Sequence, residues 1–144
     1  QANPQYDDVV AEVHRFLAER IFAAEMAGIA KKNVVIDPGF GFGKTTQHNL
    51  QLLAQLQRFT ELGVPVLAGL SRKKSIGELT GRSDPRERGA GSVAAHLIAA
   101  QRGAMLLRVH DVAASVDALK VWNALAAVPM PRAASKPEIR WPDD

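Results

Sequence analysis

The chain has 144 residues, 47% hydrophobic and 23% charged, a composition typical of one globular domain. It contains no cysteine, which excludes disulfides, thiolate nucleophiles and cysteine-based zinc sites and is compatible with the cytoplasmic location that we expect. The net charge of +3 comes from scattered basic residues, so we expect no nucleic-acid partner. Since no apolar run reaches the roughly 18 residues of a membrane span, we also expect no membrane partner.

Helices and short strands are predicted to alternate along the chain. Apolar residues at three- and four-residue spacing predict four helices, over residues 7–30, 47–62, 86–102 and 111–127. Short apolar stretches predict three strands between the helices, at residues 34–36, 65–70 and 105–107. This alternation indicates an α/β fold with a parallel sheet.

The last predicted helix has a candidate cap at its start and an apolar stripe along one side. Asp111 stands where it can cap the helix, and the stripe of Val116, Leu119 and Trp122 should be core or a subunit interface. Residues 129–144 hold four of the eight prolines and are predicted to form a C-terminal tail, so residues 1–128 form the predicted domain.

Each predicted strand ends in polar residues. Asp37 opens the first polar segment, Ser71 follows 34 residues later, and Arg108 follows after a further 37 residues. Because a strand, a loop, a helix and a return loop take about 30 residues or more, the intervals predict three successive βα units. In such units the chemistry collects at the carboxyl ends of the strands.

The glycine-rich segment after the first strand, residues 37–45, does not match a nucleotide-binding loop. A phosphate loop would need glycine where Pro38 stands, and the glycines are not spaced as in a dinucleotide fingerprint. Two interpretations are open: a flexible turn that Asp37 braces, or a binding loop in which Asp37 accepts N–H groups from a flat ring. The phenylalanines between the glycines favour the second interpretation, because a solvated turn rarely carries them.

The two other polar segments also allow alternatives. Residues 71–74, Ser-Arg-Lys-Lys, form either an ordinary basic helix start or a cationic site, since cations at a helix N-terminus oppose the helix dipole. Arg108 and His110 share one side of a strand and form either a salt-bridged pair or a phosphate-binding pair. No metal-ligand spacing is present.

Taken together, the three segments resemble the dihydropteroate synthase family. The resemblance extends over about residues 3–125, and its most specific part is the run Asp-Pro-Gly-Phe-Gly-Phe-Gly-Lys at 37–44. The matching stretches are residues 3–9, 35–44, 48–49, 69–73 with 76–77, and 108–112.

The resemblance implies a TIM (β/α)8 barrel, of which this chain would supply strands six to eight and four helices. Three strands make an incomplete barrel, which takes about 250 residues, so we expect the N-terminal half to lie upstream of this chain. The implied reaction condenses 6-hydroxymethyl-7,8-dihydropterin diphosphate with 4-aminobenzoate and releases diphosphate with the help of Mg²⁺. The Mg²⁺ ligand is expected in that N-terminal half, none in this chain, and the family implies a homodimer.

The resemblance also implies roles for individual residues. Asp37 matches the carboxylate that binds the pterin, and Lys73 matches the lysine between the pterin and the aminobenzoate. Arg108 and His110 match the pair that binds the diphosphate, with Val109 in the same substrate-binding segment. Lys73, Arg108 and His110 are therefore the predicted catalytic residues.

The aminobenzoate pocket is implied by four further residues. Gly41 and Phe42 match its wall, and Ser71 and Arg72 match its rim. Two alternatives are another pterin-binding barrel, such as a methyltetrahydrofolate-dependent methyltransferase, and a non-catalytic fragment. We also expect the chain alone to be inactive.

Overall fold

The computed structural model describes residues 4–130, which form an α/β arrangement of helices around a small parallel sheet. The helices are α1 Val9–Met26, α2 Thr46–Ala54, α3 Gln57–Thr60, α4 Lys74–Thr80, α5 Gly89–Gln101 and α6 Val112–Ala126. Single 3-10 turns occur at Lys31–Asn33 and Pro85–Glu87. None of the described helices is long and apolar enough to cross a membrane.

The sheet places the three predicted strands side by side in chain order. Strand β1, Leu67–Ala68, pairs in parallel with β2, Leu106–Leu107. The first predicted strand forms only one parallel bridge, between Ile36 and Val66. The prediction of three adjacent parallel strands is therefore confirmed, although the regular pairing is much shorter than the apolar stretches.

Side-chain caps fix the start of the helices that border the sheet. Asp8 accepts a hydrogen bond from the Ala11 N–H, and Glu12 accepts one from the Asp8 N–H, so that α1 begins with a reciprocal cap. Thr45 and His48 form an equivalent pair at the start of α2. The cap at Thr45 therefore fixes where the glycine-rich segment ends and α2 begins.

One helix prediction is wrong, and one helix of the structure has no predicted counterpart. The predicted helix 47–62 is broken at residues 55–56 into α2 and α3, and Leu50 is exposed whereas Leu52 is fully buried. Leu52 and Leu56 are both fully buried in the core. A separate short helix, α4, forms after the basic residues of the second strand end.

The C-terminal helix α6 also differs from its prediction. Asp111 occupies the N-cap position, but its side chain makes no capping hydrogen bond because it binds Arg72 instead. Ser115 is the one buried residue of α6, Val116 is exposed, and Leu119 and Trp122 are half-buried, so the stripe is not core in residues 4–130 and its role as a subunit interface stays a prediction. Most of the predicted tail, residues 131–144, lies outside the described residues.

The core lies between α1, α2, α5 and the sheet. Its fully buried large side chains include Phe40 from the glycine-rich segment and Phe59 from α3. Because Phe40 belongs to this core, the glycine-rich segment is anchored at the carboxyl end of the sheet.

Candidate active site

The glycine-rich loop, residues 37–44, turns directly after the first strand. Asp37 Oδ1 accepts a hydrogen bond of 2.8 Å from the Gly39 N–H. Gly39 and Gly41 have φ angles of 77° and 83°, a conformation that favours glycine. The turn sends the two phenylalanines in opposite directions: Phe40 is 1% exposed and Phe42 is 66% exposed.

Asn49 and Lys44 hold the loop in this conformation. Asn49 is buried in α2, where its Oδ1 accepts from the Gly41 N–H at 2.9 Å and its amide donates to Ser75 Oγ at 2.7 Å. The Lys44 ammonium donates to the carbonyl oxygens of Gly39 and Phe42, each at 3.0 Å. The loop is therefore braced by Asp37, as the first interpretation expects, and also by Asn49 and Lys44, while its role as a binding loop stays a prediction.

Lys73 reaches the loop from the second strand end. Its ammonium donates to the Phe40 carbonyl oxygen and lies 4.8 Å from the centre of the Phe42 ring. A Cβ atom at Gly41 would lie 3.1 Å from Lys73 Cδ, so glycine at this position gives the lysine its path. Lys73 and the exposed Phe42 ring together form one wall of a cleft of about 410 Å³.

Burial lowers the pKa of Lys73 below its ordinary value, and it is the largest influence. Asp37 opposes that change, whereas the charges of Arg108 and Lys44 add to it. Burial likewise lowers the pKa of Lys44, against the pull of Asp37. The charges of Asp37, Lys44, Lys73 and Arg108 are therefore close enough to influence one another.

Arg108 approaches Asp37 across the second strand. Its Nη2 atom is 3.8 Å from Asp37 Oδ2, an open ion pair in which Arg108 is 61% exposed. A Cβ atom at Gly69 would lie 2.8 Å from Arg108 Nη2, so Gly69 provides the space for this crossing. The long separation leaves donor groups of Arg108 and one Asp37 oxygen accessible to a ligand.

His110 and Arg72 each have a partner on the neighbouring strand end. His110 Nδ1 lies 2.8 Å from Ser71 Oγ, which also accepts from the His110 N–H at 3.2 Å. Arg72 donates to both carboxylate oxygens of Asp111, at 2.9 and 3.4 Å. The hydrogen bond from Arg72 lowers the pKa of Asp111. These pairs tie the second and third strand ends together.

The predicted site residues are therefore close together at one edge of the sheet, but they do not all line one cleft. Gly41, Phe42 and Lys73 line the cleft of about 410 Å³, and Asp37 lines a second cleft of similar size. Lys44 is the residue that both clefts share. The Val109 side chain lines a separate groove beneath α6, on the other side of the strand from Arg108.

Sequence reasoning missed Lys44, Asn49 and Asp111. The position of Lys44 at the end of a glycine-rich loop is the signal in the sequence that indicates a role for it. Asn49 lies eight residues after Gly41, but no local pattern indicates that its side chain turns back to the loop, and the position of Asp111 before a helix predicts a cap rather than a partner for Arg72. Residues 4–130 contain no group of three or more His, Asp or Glu side chains arranged to hold a metal ion.

Several solved structures are similar to this chain in sequence and in fold. A dihydropteroate synthase structure from Xanthomonas albilineans, in complex with 7,8-dihydropteroate, is 78% identical and covers 88% of this chain and 49% of that chain, with a TM-score of 0.87. One from Thermus thermophilus, in complex with 4-aminobenzoate, is 56% identical with a TM-score of 0.82 and covers 86% and 48%.

The curated sequences give the same result. Dihydropteroate synthase of Neisseria meningitidis serogroup C is 55% identical over 126 residues, which are 87% of this chain and 44% of the relative. The chain thus spans less than half the length of that relative, and about half of the solved barrels, and the predicted resemblance is confirmed. The model of the family described as "Pterin binding enzyme" matches residues 1–110, and the chain belongs to this family.

Proposed function

We propose that this chain supplies strands six to eight of a dihydropteroate synthase barrel, and with them about half of the active site. The proposed reaction joins 6-hydroxymethyl-7,8-dihydropterin diphosphate to 4-aminobenzoate. The observation that carries the proposal is the convergence of Asp37, Lys73 and Arg108 from three successive strand ends, within one network of charges.

The pterin end of the site is assigned to Asp37 and Lys73. Asp37 has one oxygen occupied by the Gly39 N–H, so its second oxygen is the acceptor for the N–H edge of the ring. Lys73 lies beside the loop carbonyls and would contact the ring from its edge.

The leaving-group end is assigned to Arg108 and His110. When the bond between the pterin methylene carbon and the diphosphate oxygen breaks, the electron pair leaves with the diphosphate. A guanidinium and an imidazole at this position stabilise that growing negative charge, which is where electrostatic catalysis acts. Val109 lies between them and is proposed to contribute through its main chain, since its side chain lines the groove under α6.

The aminobenzoate is assigned to the cleft formed by Gly41, Phe42 and Lys73. The exposed Phe42 ring offers a flat apolar face, and Lys73 borders the cleft on the side where the amine of the aminobenzoate would meet the pterin. Ser71 and Arg72 are proposed as the rim, which requires that Arg72 exchange part of its contact with Asp111 for the substrate. The arylamine nitrogen then attacks the methylene carbon and afterwards loses a proton.

The relatives support these substrates. Solved dihydropteroate synthases have been obtained in complex with 7,8-dihydropteroate, with 4-aminobenzoic acid and with 6HMPPP, at 78%, 78% and 56% identity. The proposal includes a cytoplasmic homodimer and a Mg²⁺ ion whose ligand lies in the N-terminal half. The described residues offer no metal-binding cluster, so no step is assigned to the ion here.

The test joins this chain to the N-terminal half of the Xanthomonas albilineans relative. We call this product the joined protein, and we expect it to form dihydropteroate from both substrates, as measured by release of diphosphate and by product chromatography. The chain alone should form none. A soluble, folded joined protein that binds neither substrate would contradict the proposal.

A further inference from the structure

The turn after the second strand has an unusual backbone. Arg72 has a φ of 55°, and among residues 4–130 it is the one non-glycine residue with a positive φ. A side chain with a Cβ atom rarely adopts this conformation unless the surroundings impose it. Because Arg72 lies between Ser71 and Lys73, its conformation sets the direction of three side chains in the proposed site.

Helix α5 holds the turn through two side chains one helical turn apart. His96 is buried, and its Nε2 atom accepts a hydrogen bond of 3.1 Å from the Leu70 N–H. Ser92 is also buried, and its Oγ atom accepts one of 2.9 Å from the Arg72 N–H while donating to the Arg88 carbonyl at 2.6 Å. Both hydrogen bonds are donated by backbone N–H groups of the turn, so neither involves a side chain of the turn.

Arg88 holds the same turn from the other side. Its guanidinium donates to the carbonyl oxygens of Arg72, Arg82 and Ser83, at 2.9, 2.9 and 2.8 Å. A Cβ atom at Gly77 would overlap this guanidinium, so α4 has glycine where Arg88 passes. Three donors in one plane fit a guanidinium and no other side chain.

We propose that Arg88, Ser92 and His96 are positioning residues that impose the left-handed turn at Arg72 and so aim Lys73 and Arg72 into the site. The inference rests on the proposed function, because it assigns these three residues to the same reaction. None of them is among the residues that line the two clefts, so they act through the backbone of residues 70–72.

The kinetic test uses the joined protein. Arg88→Met and His96→Leu should each lower kcat/KM about 10- to 100-fold, mainly by raising KM for 4-aminobenzoate, because the side chains they aim are displaced by a fraction of an ångström or more. His96→Gln, which keeps an acceptor near the Nε2 position, should recover most of the loss. Arg86→Met is the matched control, because Arg86 is exposed and its side chain contacts only Asp84.

Two outcomes separate this inference from the proposed function. If the variants lose thermal stability but keep the kcat/KM of the unaltered joined protein well below their Tm, the residues are structural and the inference is overturned. If the unaltered joined protein is inactive, the proposed function fails instead. Crystal structures of Ser92→Ala and Arg88→Met then decide the inference, because Arg72 should leave the left-handed region and separate from Asp111; an unchanged Arg72 φ would overturn it.

Discussion

The second and third strand ends carry equally important proposed residues but are built differently. The turn at 70–73 is held by α5 and Arg88 from within the described residues, and Ser71 is buried there. The third strand and its end have much less cover: Leu106 within the strand is 42% exposed, and Arg108 extends over Gly69 with one distant partner among residues 4–130. The backbone turn that carries Lys73 is therefore held by hydrogen bonds within the described residues, whereas Arg108 has only a long ion pair there.

This difference agrees with the position of the two strands in the proposed barrel. An inner strand has its neighbours within this chain, whereas β2 would have its second neighbour in the N-terminal half. Substitutions on the supported side should therefore change stability as well as activity. Substitutions on the open side should change activity with little effect on folding.

The largest expected effect separates the two phenylalanines of the glycine-rich loop. In the joined protein, Phe40→Ala should lower the free energy of unfolding by about 3–5 kcal/mol, because it empties a buried core position. Phe42→Ala should change it by less than about 1 kcal/mol, since that ring is exposed and contributes mainly its contact with Lys73. Urea unfolding of both variants checks this, and equal losses would contradict the assignment of Phe42 to the pocket.

The next effect compares the two cations directly. Lys73→Ala and Arg108→Ala should each raise the barrier by about 2–4 kcal/mol in the joined protein, since each removes charge stabilisation from the site. Arg108→Ala should leave the midpoint of urea unfolding nearly unchanged, because the side chain is exposed and its ion pair is long. Steady-state turnover of both variants provides the measurement, and full activity in either would remove that residue from the catalytic assignment.

A smaller effect tests the support of the glycine-rich loop. Asn49→Ala leaves the Gly41 N–H without its partner and should cost about 1–3 kcal/mol of unfolding free energy. Gln51→Ala on the same helix is the control, because Gln51 is exposed. Similar losses in both variants would show that the Asn49 contact is unimportant.

The sequence was sufficient to predict the order of elements, the parallel strands and the meeting of their polar ends, because periodicity and chain spacing determine these features. It was not sufficient to predict the break at residues 55–56, because Leu52, Leu56 and Phe59 keep helical spacing across the break. Nor did it predict that Asp111 binds Arg72, since an aspartate before a helix satisfies the capping pattern equally well. The contacts of Asn49 with Ser75 and of His96 with Leu70 each join residues 26 positions apart, and no local pattern encodes them.

The smallest expected effect is a pH dependence that arises on the supported side. Burial lowers the pKa of His96 below its ordinary value of 6.5, so the unfolded chain binds a proton more readily than the folded protein does. Stability should therefore fall as the pH drops below about 6.5, until the lower folded pKa is reached. Protonation would also end the role of Nε2 as the acceptor for the Leu70 N–H.

His96→Gln isolates this contribution, because glutamine keeps an acceptor but does not titrate. The variant should show a weaker loss of unfolding free energy than the unaltered joined protein between about pH 7 and pH 5. Asp111 does not interfere in this range, since its pKa lies below 3.8 and its pairing with Arg72 is lost only in stronger acid. Parallel pH profiles for the two proteins would show that His96 is not the group whose protonation weakens the turn.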